Sequence, residues 1–141
     1  MATLVIPGAP VGIGVRWSQT ALVTFSDGTG DGVAATVKIA EIPANVRCLR
    51  VRCEVGTAFD GTTDLCSVGH SGDVDSFMDT TLLDISSAAL LDSLSDAQPD
   101  SGVDGRAPQS AAYDLNAYLE TNSNTTAGSA YFIVDLMNEN A

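Results

Sequence analysis

Residues 46–75, VRCLRVRCEVGTAFDGTTDLCSVGHSGDVD, constrain the fold more than any other stretch of the chain. Leu49, Val51, Cys53 and Val55 alternate with Arg50, Arg52 and Glu54, the two-residue period of a strand with one buried and one wet face. A helix of this pattern would carry arginines into its own core. Gly56 ends the strand. Asp60-Gly61 supplies a turn, because both residues tolerate positive φ, and residues 65–69 read as the returning strand of a β-hairpin.

The same rhythm recurs on either side. Residues 20–26, TALVTFS, form a strand signal that the DGTGDG run at 27–32 breaks. Residues 33–42 follow as a second strand, with Val37 and Ile39 on one face and Lys38 on the other, and Pro43-Ala44-Asn45 turns the chain. Residues 72–79 read as an acidic, turn-rich connection, and residues 79–94 as a short helical turn followed by a strand. Residues 112–120 alternate again, Tyr113, Leu115, Ala117 and Leu119 against Asp114, Asn116, Tyr118 and Glu120. Residues 130–137, AYFIVDLM, are apolar on both parities except at Asp135, which predicts a strand buried on both sides or lying at a subunit interface.

Strands at such short spacing, without intervening helices, predict an all-β antiparallel β-sandwich of jelly-roll type. The 141 residues suffice for one core. Residues 1–18 read as an extended N-terminal arm and 19–141 as a single sandwich domain. The arm carries Pro7, Gly8 and Pro10, yet Leu4, Ile6, Ile13 and Trp17 make it too apolar to float in solvent, so it pads its own domain or reaches a neighbouring subunit. Trp17, the only tryptophan, is expected to pack in the core or at an edge. Residues 96–110 have no period and form the longest structureless segment, the usual form of a binding loop or mobile tip.

Charge limits the partners. Six basic residues against 18 acidic ones give a net charge of -12, which argues against a nucleic-acid partner, since phosphate binding needs a basic face. Lys38, Arg47, Arg50 and Arg52 concentrate the positive charge, so this stretch is the expected docking patch for an acidic partner surface. The opening MATLVIPGAP lacks a basic n-region and its apolar run ends at Pro7, so neither a signal peptide nor a membrane anchor is expected; the reading is cytosolic synthesis without a membrane partner.

Catalytic and metal chemistry find little support. Cys48, Cys53 and Cys66 form no CxxC pair and are expected as small buried thiols rather than a disulfide framework. His70, the only histidine, has Ser67, Ser71 and Asp73 nearby but no nucleophile elbow, and reads as a turn residue. Asp27, Asp31, Asp60, Asp64, Asp73, Asp75, Asp100 and Asp104 sit in turns, two of them similar to calcium loops but without the twelve-residue pattern. No cofactor and no enzymatic activity are expected.

The run IPAN at 42–45, VRCEVGTAFDGTT at 51–63 and LCSVGHSGDVDSF at 65–77, with the end pattern YxLNAYLxTxxxxTAGSAYFIV, resembles small β-rich proteins encoded among the head and tail structural genes of tailed bacteriophages. The resemblance implies a virion structural protein. Its first form is a capsid decoration (cement) protein, a homotrimer on the capsid exterior whose partner is the major capsid protein, assembled in the bacterial host cytoplasm. The alternative is a tail or fibre adhesin binding host glycan or protein through the 96–110 loop, with Tyr113 and Tyr118 as the aromatic candidates. Contacts with capsid or subunit are expected from Leu4, Ile6, Ile13, Trp17, Arg47, Arg50, Arg52, Tyr131 and Ile133.

Overall fold

A computed structural model describes residues 3–5, 14–93 and 108–139. Nine strands are described: β1 (Thr3–Val5), β2 (Arg16–Thr24), β3 (Ala34–Ile42), β4 (Val46–Thr57), β5 (Leu65–His70), β6 (Asp73–Met78), β7 (Ala89–Asp92), β8 (Tyr113–Glu120) and β9 (Ser129–Asn138). They form a five-stranded sheet in the order β1-β2-β9-β4-β7 and a four-stranded sheet in the order β3-β8-β5-β6, with every pairing antiparallel. Apart from the β5–β6 hairpin, successive strands from β2 onward cross from one sheet to the other, the two-Greek-key path of a jelly roll. The sandwich expected from the alternating patterns is the one observed.

The core is the interleaving of the two inner faces. Ala130, Phe132, Val134 and Leu136 from β9 and Val51, Cys53 and Val55 from β4 meet Leu115, Ala117 and Leu119 from β8 and Cys66 and Val68 from β5. Phe77 and Met78 at the end of β6 are fully buried. Two backbone positions fix how strands enter this stack. Asn45 adopts φ 63 in the turn between β3 and β4, a conformation asparagine tolerates better than most residues. Gly128 has φ +150 and leaves no room for a side chain, since a Cβ there would lie 2.5 Å from the Phe59 ring.

Several local expectations need correction. Residues 46–57 and 65–70 are both strands, but they are not a hairpin: β4 lies between β9 and β7, whereas β5 lies in the opposite sheet between β8 and β6. The Asp60-Gly61 turn carries the chain across the end of the sandwich. Asp60 is held there by Thr126, which donates its backbone N–H at 2.7 Å and its hydroxyl at 2.6 Å, and by the Ala127 N–H at 3.0 Å. Alternation fixes that a segment is a strand and which side chains share a face, but it names no partner.

Leu49 does not share the core face of Val51. A register shift between Cys48 and Arg50 against β9 inserts one extra residue, so the buried positions run Val46, Cys48, then Val51, Cys53, Val55. Residues 73–78, expected as a turn-rich connection, form β6, because pairing with β5 overrides the poor strand propensity of its aspartates. The strand expected at 20–26 starts earlier, at Arg16, inside the segment read as an arm, and gives way to a 3-10 turn at Phe25–Asp27. Residues 79–92 follow the expected sequence of turn and strand, the Leu83 N–H donating to the Asp79 carbonyl at 2.9 Å before β7. The 96–110 segment lies outside the described residues except at its end.

Candidate interaction surface

The outward face of the five-stranded sheet is unlike an ordinary solvent face. On β9 it presents Tyr131, Ile133, Asp135 and Met137, the apolar parity that a strand inside a solvated sheet would not need. Leu22 stands opposite Tyr131 on β2, Glu54 opposite it on β4, and Leu90 of β7 opposite Glu54. Leu22, Tyr131 and Leu90 are 37%, 39% and 81% exposed, so the row that crosses the sheet is apolar except at Glu54, between Tyr131 and Leu90.

Beside this row lies an ionic cluster organised by Asp135. Its carboxylate accepts from Ser18 Oγ at 2.7 Å, from Arg52 Nη2 and Nε at 3.0 Å each, and from Arg50 Nε at 3.0 Å. Arg50 also donates from Nη1 to Asp92 at 3.3 Å. Register explains the convergence, because Ser18 and Arg50 are the cross-strand neighbours of Asp135 and Arg52 faces Asp92. Burial pushes the Asp135 carboxyl up, but the bonds from Arg52, Ser18 and Arg50 together outweigh it and hold the group below its ordinary value of 3.8. Arg47 pairs separately with Glu139, Nε to Oε1, at 2.6 Å.

The structure regroups the positive charge. Lys38 leaves the cluster: it lies on β3 in the other sheet, paired with Glu41 at 3.2 Å and Asp114 at 3.3 Å. Arg16 replaces it. Together with Trp17, Ser18, Leu49, Arg50, Arg52, Asp135 and Leu136 it lines an open cleft of about 650 Å³. Nearness in sequence missed Arg16 because β2 and β4 are brought together only through β9, which lies far from both in sequence. The two-residue period of β2, carried back from Ala21 and Val23 to Arg16, places it outward and is the signal that was present.

Of the other expected contact residues, Trp17 is half-buried and packs against the core, as expected, with its indole Nε1 shut off from solvent and without a hydrogen-bond partner. Leu4 lies in β1, paired in register with Ala21. Ile6 and Ile13 lie outside the described residues. Tyr131 and Ile133 project from the outward face, so β9 is buried on one side within this chain and open on the other.

The remaining candidates are occupied locally. His70 Nδ1 accepts the Gly72 N–H at 3.1 Å in the β5–β6 turn, and its ring meets Tyr113 edge-on with centroids 6.2 Å apart. Tyr113 and Tyr118 are both half-buried, and Tyr118 accepts from Asn116 Nδ2 at 3.2 Å. Asp27 caps its own turn, accepting the Thr24 N–H at 2.8 Å, and Asp31 accepts from the Thr29 hydroxyl and the Val33 N–H. Asp64 accepts from the Thr125 hydroxyl at 2.7 Å and the Gly61 N–H at 2.8 Å. Asp75 is raised above its ordinary value, first by a hydrogen bond with Asp73, then by burial and by the charge of the same neighbour. Asp100 and Asp104 lie outside the described residues. Among the described residues no group of three or more His, Cys, Asp or Glu side chains is placed to hold a metal ion.

The three thiols are free and buried. Cys53 and Cys66 face each other's sheets across the interior. Burial, then the nearby Glu54 charge, pushes the Cys53 thiol up to about 12, and burial followed by the influence of Cys53 pushes Cys66 higher still.

No family model and no curated protein sequence matches the chain. Solved structures do. A chain of the cyanophage Pam1 capsid asymmetric unit is similar at 17% identity with a TM-score of 0.60, over 96% of this chain and 93% of that one. A chain of the capsid of Ralstonia phage GP4 matches at 10% identity and a TM-score of 0.66, over 97% and 92%. The acid-stable capsid of Helicobacter pylori bacteriophage KHP30 contains a third, at 18% identity and 0.62, over 99% and 95%. Each alignment spans more than nine-tenths of both partners, so what is shared is the whole jelly roll and nearly its whole length.

Proposed function

We propose that this protein is a bacteriophage virion structural protein, specifically a decoration (cement) protein that binds the outer surface of the capsid and stabilises it. The observation that carries the reading is the end-to-end fold likeness to chains of similar length in three phage capsid structures. The attaching surface is the outward face of the five-stranded sheet, where Tyr131, Ile133, Leu22 and Leu90 supply apolar area and Arg47, Arg50 and Arg52 supply charge against an acidic partner. The partner is the major capsid protein. β1, with Leu4, lies at the edge of the same sheet, and self-association is as a homotrimer.

The mechanism is adhesive. Each copy contributes a modest interface, and many copies across capsomer junctions resist the separation of any one of them. The test is to incubate the purified protein with capsids that lack it, sediment the shells and count bound copies. Hundreds of copies per shell, with higher heat resistance, are expected. A handful at one vertex, or none, overturns the decoration reading in favour of a tail or fibre component, and sedimentation velocity of the free protein checks for three times the 14.5 kDa chain mass.

A further inference from the structure

The cleft between β2, β9 and β4 holds a surplus of hydrogen-bond donors. Asp135 uses both oxygens on Ser18, Arg50 and Arg52. Among the described residues Arg50 keeps Nη2 and Arg52 keeps Nη1 without an acceptor, and Arg16 has no carboxylate partner. Three guanidinium groups against the two carboxylates of Asp135 and Asp92 leave about one positive charge, in a chain whose net charge is -12. One positive charge suits a single carboxylate better than a doubly charged phosphate. Leu49 and the exposed part of Trp17 give the cleft an apolar border beside those donors, which suits a charged group carried on a short methylene stem.

We propose that this cleft receives a carboxylate-bearing peptide segment of the partner protein, with an Asp or Glu side chain accepting from Arg16 and Arg50 and its stem lying against Trp17 and Leu49. Asp135 is then a positioning residue that holds Arg50 and Arg52 in place. The partner's identity rests on the decoration reading; the peptide recognition does not. At physiological salt the acidic body of the protein opposes such a ligand little, since charges more than about 8 Å away are screened.

Trp17 is the only tryptophan and lines the cleft, so its emission reports occupancy directly. The full chain is titrated with a capped Leu-Glu-Leu-Glu-Leu-Glu peptide, with the matching Gln peptide and with inorganic phosphate. A saturable emission change with the Glu peptide is expected, with affinity at least about tenfold lower for the Gln peptide and for Arg16→Gln, the loss of one charge-assisted bond. Arg16 is exposed, so Arg16→Gln keeps the wild-type thermal midpoint, checked alongside. Equal binding of the Gln peptide, a response to phosphate alone, or no response overturns the proposal. Wild-type and Arg16→Gln protein are also sedimented with bare capsids. Shell binding without peptide binding overturns the cleft and leaves the decoration reading standing; peptide binding without shell binding does the reverse.

Discussion

The two sheets share one interior but turn different faces outward. On the four-stranded sheet, β8 presents Asp114, Asn116, Tyr118 and Glu120, flanked by Thr36, Lys38 and Glu41 on one side and Ser67 and Gly69 on the other. Its ion pairs are exposed, Lys38 at 37% against Glu41 at 52% and Asp114 at 55%, and pairs of that kind contribute about 0–1 kcal/mol. On the five-stranded sheet the equivalent central strand, β9, presents Tyr131, Ile133 and Met137 around one carboxylate, Asp135, that is only 17% exposed and is shared by two arginines. The first face is mainly polar, with Leu65 opposite Glu120 at 41% exposed and Asn116 and Ser67 buried within it. The second spends apolar area and a desolvated charge where solvent rewards neither, which is the pattern of a surface that a partner covers.

The shared interior gives the largest effects. Phe132→Ala from the five-stranded sheet and Leu119→Ala from the four-stranded sheet remove fully buried side chains and should each cost about 3–5 kcal/mol in urea denaturation. Widely different costs would break the picture of one core serving two sheets equally. In the same interior, a Cys53 thiol pushed up to about 12 leaves roughly one thiolate in 10⁴ at pH 8, so alkylation should wait for unfolding. Rapid labelling of the native protein would show the sheets parting locally.

The outward faces differ next. Asp135→Asn leaves Arg50 and Arg52 facing a neutral amide and should cost about 2 kcal/mol, whereas Asp114→Asn on the other sheet should cost under about 0.5 kcal/mol. Acid sharpens this contrast, because Asp135 has a lowered folded value and Asp75, in β6, a raised one. Asp135 contributes stability that is fully present above its ordinary value of 3.8 and lost as pH falls through the lower folded value. Asp75 works the other way, favouring the fold when protonated and losing that contribution as pH rises through its raised value. Urea midpoints measured from pH 6 downward should therefore fall below about pH 4 in the wild type and fall less in Asp135→Asn. The smallest stability effects belong to the largely apolar row: Tyr131→Ser and Leu90→Ser should move stability by under about 0.5 kcal/mol yet lower capsid occupancy, while Val74→Ser on the opposite sheet should change neither.

How much of this was legible in the sequence follows from what a two-residue period encodes. The jelly-roll class, the inward set Leu115, Ala117 and Leu119, and the odd outward face of β9 were all readable, because each depends only on alternation within one strand. Strand partners were not readable. Asp60-Gly61 makes the same local turn whether the next strand folds back or crosses to the other sheet, and only its bonds to Thr126 and Ala127, 66 and 67 residues away, decide it. The bulge at Leu49 and the entry of Arg16 into the basic cluster are set by register against β9, and the departure of Lys38 by the pairing of β3 with β8 in the other sheet.

That β9 stands between β2 and β4 also has a consequence in time. Arg16 pairs with Met137, and Arg47 pairs with the same residue, so the middle of the five-stranded sheet cannot form until residues 129–138 have left the ribosome. A growing chain cannot complete this sheet early, and pairings of such long range make folding slow and late. Any chain released before residue 129 lacks both the centre of the sheet and the carboxylate that gathers the arginines. A copy cut short there cannot assemble that outward face, so synthesis through β9 acts as its own inspection.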